Sequence, residues 1–227
     1  MAALIPIITI DGTSGTGKGT IAQLLAHHLQ WRYLDSGVLY RVVAWAINYH
    51  DVDMANLHWL KEFIEKLPIE LKTEQGRLSH VFCEGMDVTS KIRSEACGMH
   101  ASKISAIPLV RTALLERQRA FGQLPGLVTD GRDMGTVIFP EAQLKIFLTA
   151  SLEARTHRRY NQLKEKGIHV SLRDVQSELA QRDYQDTHRA VAPLKPASDA
   201  IVVDTTEQSI DDVFNLCLRK ASQLFEL

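Results

Sequence analysis

Nine consecutive residues, Gly12, Thr13, Ser14, Gly15, Thr16, Gly17, Lys18, Gly19 and Thr20, carry the strongest chemical signal in this chain. From Gly12 through Gly17 to Lys18 they fit the G-x-x-x-x-G-K core of a phosphate-binding P-loop. Glycines let backbone N–H groups converge on phosphate oxygens, a following helix contributes its positive end, and Lys18 reaches the terminal phosphates. After Lys18, where such loops usually carry the Ser or Thr that touches magnesium, stands Gly19. Thr20 follows one place later, a candidate for a water-mediated contact to the metal. The plain alternative is a glycine-rich turn that binds nothing, and the strand–loop–helix setting argues against it.

A second signal is Leu127-Val-Thr-Asp130-Gly131-Arg132-Asp133-Met134-Gly135-Thr136. An acid at the carboxyl end of a buried strand sits at the crevice where doubly wound sheets bind ligands. Asp130 is placed to hold Mg²⁺ through water, because this ion dehydrates reluctantly. A turn-forming Asp before Gly is the alternative, but a turn does not require Arg132 and Asp133 directly after it. The third signal is arginine density. Arg41, Arg111, Arg132, Arg155, Arg158, Arg159, Arg182 and Arg189 lie on segments expected to border one cleft. Arg155 and Arg159 are one helical turn apart and share a face. Any one of these alone is an ordinary surface arginine. Their number beside a P-loop points to phosphoryl transfer, which needs phosphates held in line and shifting negative charge neutralised by bidentate donors.

The elements that must position these residues follow from periodicity. Leu4–Ile10 is a β-branched run suited to a strand buried on both faces, and Thr20–Leu29 has helical spacing. Tyr33-Leu34 reads as a second strand and Val38–His50 as a helix. Strand–loop–helix alternation from the start marks a parallel α/β sheet. The middle differs: a helix near Leu57–Lys66, a hairpin of Pro68–Lys72 and Leu78–Phe82 around Glu74-Gln75-Gly76, and one long helix over Val88–Ile107. Pro108, whose fixed φ suits a first turn, opens the next helix. Residues 62–107 are therefore expected to form a small α+β lobe inserted between core segments 1–61 and 108–154. Strands return at Leu127–Thr129 and Leu144–Leu148. Residues 155–189 carry eight Lys/Arg against five Asp/Glu, with Gly167 the break between two helices. In the final core segment, 190–227, Ile201–Val203 is the last strand, and Ser209 with Asp212 starts a last amphipathic helix as a capping box would.

Composition sets bounds on the rest. The chain has 227 residues, 45% hydrophobic and 23% charged, which excludes a disordered chain and is enough to bury a full core without disulfides. Against 26 Lys+Arg stand 27 Asp+Glu, so nothing global favours nucleic acid or a membrane surface, and phosphate affinity must come from local placement. Cys83, Cys97 and Cys217 form no CxxC and no metal-ligand spacing, and read as reduced thiols of a cytoplasmic protein. The start of the chain reads as a strand, without a basic leader. No stretch approaches the roughly 20 apolar residues of a membrane helix. A monomer is the default expectation.

Taken together, Asp11–Thr20, Leu34-Asp35-Ser36-Gly37, Tyr40-Arg41, Asp130–Thr136 and Arg189-Ala-Val-Ala-Pro-Leu194 resemble the bacterial cytidylate kinases, from Ile8 to the last helix. Asp130–Thr136 is the most diagnostic match. The Gly17-Lys-Gly-Thr20 ending is the form seen in nucleoside monophosphate kinases, and the chain lacks the N-K-x-D motif of GTPases. Thr13 and Thr16 stand where the family usually has Pro and Ala, and His188 where Asn is common. The resemblance implies a P-loop core with a five-stranded parallel sheet, a lobe for the nucleoside monophosphate and a helical lid, residues 155–189. It implies transfer of phosphate from ATP to CMP or dCMP with Mg²⁺. Ser36 and Arg41 would hold the acceptor side, Arg132 and Arg189 the CMP phosphate, and Arg182 and Asp186 the ribose or lid side. Ser102, Arg111 and Asp133 would read cytosine, while Lys18, Arg155 and Arg159 would meet ATP.

The base-reading set also makes chemical sense by itself. Cytosine offers an amino donor that a carboxylate such as Asp133 accepts, and acceptors that Arg111 and Ser102 can serve. Uracil would turn an oxygen toward that carboxylate, an unpaired contact costing roughly 1–3 kcal/mol. CMP should thus be preferred over UMP, and Asp133→Ala should erode the preference. The rival readings are a kinase of another small acceptor (UMP, AMP or a non-nucleotide metabolite) and a non-enzymatic ATP-dependent switch. The switch would need only one set of arginines.

Overall fold

The protein is described here by a computed structural model covering residues 4–74 and 77–225. In chain order its elements are β1 (Ile7–Gly12), α1 (Lys18–Leu29), β2 (Arg32–Asp35), α2 (Ser36–Tyr49), α3 (Leu57–Lys66), β3 (Ile69–Glu74), β4 (Arg77–Cys83) and β5 (Met86–Asp87). There follow α4 (Thr89–Ile92), α5 (Glu95–Ile104), α6 (Pro108–Arg119), β6 (Leu127–Gly131), a π-helical turn at Met134–Ile138, β7 (Leu144–Thr149), α7 (Leu152–Glu165), α8 (Leu172–His188), β8 (Ile201–Asp204) and α9 (Ile210–Phe225).

Five strands form one parallel sheet in the order β2-β6-β1-β7-β8. Side chains alternate across it, as the two-residue repeat of a strand requires. Ile7, Leu34 and Leu127 join an apolar cluster with α2, α3 and α6 on one face. Ile8, Ile10, Tyr33 and Val128 join α1 and α9 on the other. Both faces are covered, which is why β1 reads as a continuous apolar run. Register places Asp35 beside Asp130 and Ile10 beside Asp130, so the carboxyl ends of β1, β2 and β6 open on one crevice.

A second, antiparallel sheet, β3-β4-β5, lies in the middle of the chain. Its Val81 and Cys83 bury into the same cluster as α2 and α6, so this segment shares a core with the main sheet. The residues of its expected turn, Gln75 and Gly76, lie outside the described residues. The single helix expected over Val88–Ile107 is two, α4 and α5. Ser94 divides them: it has extended backbone and its Oγ accepts from the Cys97 N–H at 3.2 Å, an N-cap that starts a new helix. Pro108 does open α6. Ser209 and Asp212 form a reciprocal capping box, Asp212 N–H to Ser209 Oγ at 3.1 Å and Ser209 N–H to Asp212 Oδ2 at 3.3 Å. Between α7 and α8 the chain turns at Gly167, and the two helices enclose their own small cluster of Leu163, Val175 and Leu179. Among the described residues no helix is long and apolar enough to cross a membrane.

Candidate active site

A cleft of about 310 Å³ opens at the carboxyl ends of β1, β2 and β6, between α2, α5 and the α7–α8 pair. Its floor is the loop from Gly12 to Lys18. Gly12 is required there: a Cβ at this position would lie 2.2 Å from the Leu148 carbonyl oxygen of the neighbouring strand. Thr16 Oγ1 donates to the Thr13 carbonyl at 3.0 Å, so a hydroxyl ties the loop across itself. Lys18 Nζ donates to the same carbonyl at 3.2 Å. Ser14, Gly15, Lys18 and Gly19 line the cleft, whereas Gly12, Thr13, Thr16 and Gly17 do not. Thr20 is exposed and off the cleft wall. Successive helical residues point about 100° apart, so two places past Lys18 the side chain has turned away.

Of the eight arginines expected at one cleft, six line it: Arg41, Arg111, Arg132, Arg159, Arg182 and Arg189. Arg155 and Arg158 do not. Arg155 is buried beneath the P-loop, donating to the carbonyls of Ala150 and Ser14 at 3.0 and 3.1 Å and pairing with Asp183 at 2.6 Å. It props the loop from behind and is not part of the cleft wall. Arg158 straps α7 to the Thr205 and Thr206 carbonyls after β8. Arg159, one turn from Arg155, reaches across the cleft to Glu95 at the start of α5. His188 stacks on Tyr184 with ring centroids 4.1 Å apart, outside the cleft.

At one end of the cleft Asp133 is held between two guanidinium groups. Arg111 pairs with Oδ2, and Arg189 pairs with Oδ1 at 3.2 Å. Ser105 braces both arginines, its carbonyl accepting from Arg111 at 3.3 Å and its Oγ from Arg189 at 3.5 Å. Ser102 Oγ lies 3.3 Å from both Gln185 Oε1 and Asp186 Oδ1. Arg132 spans the middle, from Ser14 Oγ at 2.8 Å to Asp186 Oδ2 at 2.6 Å. Burial alone would lower the Arg132 pKa, but Asp186, helped by Asp130 and Asp183, more than offsets it and the guanidinium is held charged. Ser36 Oγ donates to the fully buried Gln118 at 2.8 Å, and Arg41 donates to the carbonyls of Ile92 and Ser94 at 2.7 and 3.1 Å.

Several buried or half-buried cations crowd the space beside the P-loop. Burial, then the nearby Arg132 and Arg41, pushes the Arg182 pKa down to about 10, and its buried Nε has no hydrogen-bond partner. Burial, then Arg132, also lowers Lys18, and burial followed by Arg41 lowers Arg159. These cations crowd one another, and an anion between them would relieve the crowding. Asp130, fully buried, faces the same space, with its pKa raised by burial and then by Asp35. Its Oδ1 accepts from Tyr33 Oη at 2.7 Å. The carboxylates of Asp130 and Asp35 on the cleft wall suit a hard cation that takes oxygen ligands. No group of three His, Cys, Asp or Glu among the described residues forms an all-protein metal cage. A few carboxylates beside a phosphate site are the usual setting for Mg²⁺, which keeps several waters and is completed by substrate phosphates.

Spacing along the chain leaves Tyr33, Ser105, Gln118 and Glu95 without a role, although all four hold cleft residues in place. Tyr33, one residue before the Leu34-Asp35-Ser36-Gly37 run and on the alternate face of β2 from Leu34, carries the only signal that could have marked it.

The family model described as "Cytidylate kinase" matches residues 8–223. A curated cytidylate kinase of Pseudomonas entomophila (strain L48) is 54% identical over 214 residues, 94% of this chain and 94% of that protein. One from Stutzerimonas stutzeri (strain A1501) is 53% identical over 219 residues, 96% of each. Among solved structures, an uncharacterized protein from Eubacterium ventriosum ATCC 27560 aligns with a TM-score of 0.51 at 12% identity, covering 97% of this chain and 99% of that one, a likeness of fold alone. Identity of half or more, sustained from the P-loop through the last helix, places the chain in the cytidylate kinase family.

Proposed function

We infer that this cleft transfers the γ-phosphoryl group of ATP to CMP or dCMP, giving ADP and CDP or dCDP. The crowding of cations between the P-loop and Arg132 carries this reading. Lys18, Arg41, Arg132, Arg159 and Arg182 line one space, where burial and neighbouring arginines disfavour the charges of Lys18 and Arg182.

An oxygen of the CMP phosphate attacks the γ-phosphorus as the bond to the β-phosphate oxygen breaks. A phosphate monoester is largely dianionic at neutral pH, its second pKa being about 6, so the nucleophile needs no general base. The work left to the protein is alignment and neutralisation of charge. The P-loop amides with Ser14, Gly15, Lys18 and Gly19 would hold the ATP phosphates, and Arg159 and Arg182 would follow the migrating phosphoryl. Ser36, Arg41, Arg132 and Arg189 would hold the acceptor phosphate, with Asp186 and Arg182 toward the ribose and Ser102, Arg111 and Asp133 toward the base. Mg²⁺, held through water by Asp130, would supply charge to the β- and γ-phosphates. Residues 62–107 would act as the acceptor lobe and 155–189 as a lid that closes over both nucleotides, excluding water as a competing acceptor. The enzyme would act as a monomer in the cytoplasm.

The test is a panel of ATP·Mg with CMP, dCMP, UMP, dTMP and AMP, read by coupled ADP release. CMP and dCMP should give the highest kcat/KM, and a protein that phosphorylates none of them refutes the reading. A higher kcat/KM for UMP or AMP would instead favour the rival acceptor.

A further inference from the structure

Tyr33 is buried behind the wall of the cleft and touches none of the space where nucleotides would lie. Its hydroxyl nevertheless ends at the cleft, on Asp130. Strand β2 runs beside β6 in parallel register, so Tyr33 can reach past its neighbour and meet the carboxylate at the end of that strand. Tyr33 Oη donates to Asp130 Oδ1 at 2.7 Å and itself accepts from Gln23 Nε2 of α1 at 3.4 Å. The side-chain torsion of an aspartate carboxylate has a broad minimum, so packing alone does not aim its oxygens. A short hydrogen bond to Oδ1 does, with Oδ2 slightly the nearer of the two oxygens to Gly19.

Gly19 supplies the second observation. It occupies the position after the P-loop lysine, where a hydroxyl side chain is usual. A Cβ at Gly19 would lie 3.7 Å from Asp130 Oδ2 and 3.9 Å from Tyr33 Oη. A side chain at that position would therefore enter the space beside the oxygens that Tyr33 and Asp130 already share. This chain has no hydroxyl from the loop there and has one from the strand.

We propose that Tyr33 is a positioning residue: its hydroxyl aims the Asp130 carboxylate toward the metal site, the task left open by a glycine after the P-loop lysine. This rests on the reading of Asp130 given above. Removing the hydrogen-bond partner of a metal ligand typically changes metal affinity by about 10–100-fold, and with Asp130 acting through water the lower end of that range applies to Tyr33. Tyr33→Phe removes only the oxygen. Tyr33→Leu fills the same cluster of Ile8, Ile10 and Val128 without a hydroxyl, and carries the test if the Phe variant does not fold. Binding of Mn²⁺ to the enzyme–ADP complex is followed by electron paramagnetic resonance, with the Mg²⁺ dependence of turnover and the KM for CMP measured alongside. The expected result is Mn²⁺ binding about ten-fold weaker, a matching rise in the Mg²⁺ needed for half-maximal rate, and an unchanged KM for CMP. Mn²⁺ affinity within two-fold of wild type overturns the proposal, even if the variant melts earlier. If wild-type protein fails to phosphorylate CMP, the reading beneath the proposal fails; if wild type is active and the variant binds Mn²⁺ normally, only the role of Tyr33 fails.

Discussion

Asp133 accepts from Arg111 on one oxygen and Arg189 on the other, so truncating it would strand two buried guanidinium groups. Asp133→Ala would then mix lost specificity with a folding defect of about 3–5 kcal/mol, the usual cost of breaking a buried pair. Asp133→Asn is the milder test. Its one amide oxygen still accepts from one guanidinium, and its amide nitrogen, in place of the other acceptor, can donate to a uracil oxygen. The ratio of kcat/KM for CMP over UMP should fall about ten-fold, and an unchanged ratio would remove Asp133 from base reading. Asp11 gives a second prediction. It accepts from the Met134 and Gly135 N–H groups at 2.9 and 2.8 Å and so anchors the π-helical turn. Burial outweighs those bonds and pushes its carboxyl from 3.8 up to about 6. A raised folded-state pKa means that the folded protein binds this proton more tightly, so stability falls as pH rises between about 4 and 6. Between pH 5 and 7.5 the loss is on the order of 1 kcal/mol. Urea denaturation of Asp11→Asn should show a weaker pH dependence than wild type by that amount; identical slopes would rule it out. At this scale the gathering of residues at the cleft was legible wherever neighbours in sequence suffice, as in the P-loop and Asp130–Asp133. Tyr33 and Asp130 are 97 positions apart, and no local pattern announces a hydrogen bond over that separation.

The helices of the middle segment show why element boundaries are harder to read than element types. Residues 88–107 have no glycine or proline break except Gly98, so periodicity favours one helix. What divides them is a side-chain hydrogen bond: Ser94 Oγ accepts from Cys97 N–H while its carbonyl accepts from Arg41. Serine's ability to bond its own backbone is visible in sequence, but its use depends on where Arg41 needs a partner. α5 also carries Ser102, so this cap places two cleft residues at once. Ser94→Ala should cost about 1 kcal/mol in urea denaturation and raise the KM for CMP, whereas Ser94→Asn, an equally good cap, should stay near wild type in both. An equal loss in both variants would show that the cap is not what matters. The π-helical turn at Met134–Ile138 was illegible for a similar reason. It depends on Asp11, more than a hundred residues earlier, accepting two of its N–H groups.

The whole molecule divides its apolar residues unevenly. The main sheet and the inserted antiparallel sheet share one large cluster, whereas α7 and α8 enclose only Leu163, Val175 and Leu179, with Leu152 and Val170 packed against them. The helix pair meets the rest of the protein mainly through polar links: Arg155 to the P-loop carbonyl of Ser14, Asp186 to Arg132, and Arg159 to Glu95. Such an arrangement should open locally at lower free energy than the sheet, because few buried apolar contacts tie it down. The alternation of strands and helices made the sheet legible at this scale, and the charge of 155–189 marked the helix pair as distinct. That the pair owns a separate core became visible only in three dimensions. Leu163 is buried in that core and lies off the cleft wall, so Leu163→Ala loosens the pair without touching a ligand. The loss should be about 2–4 kcal/mol, felt locally. Hydrogen exchange should accelerate across residues 152–188 and stay unchanged in β1 and β6. Looser closure should lower kcat for CMP and raise the share of ATP lost to water. Exchange that quickens equally in β1 would mean the helices unfold only with the sheet, and an unaltered hydrolysis share would mean that closing them does not exclude water.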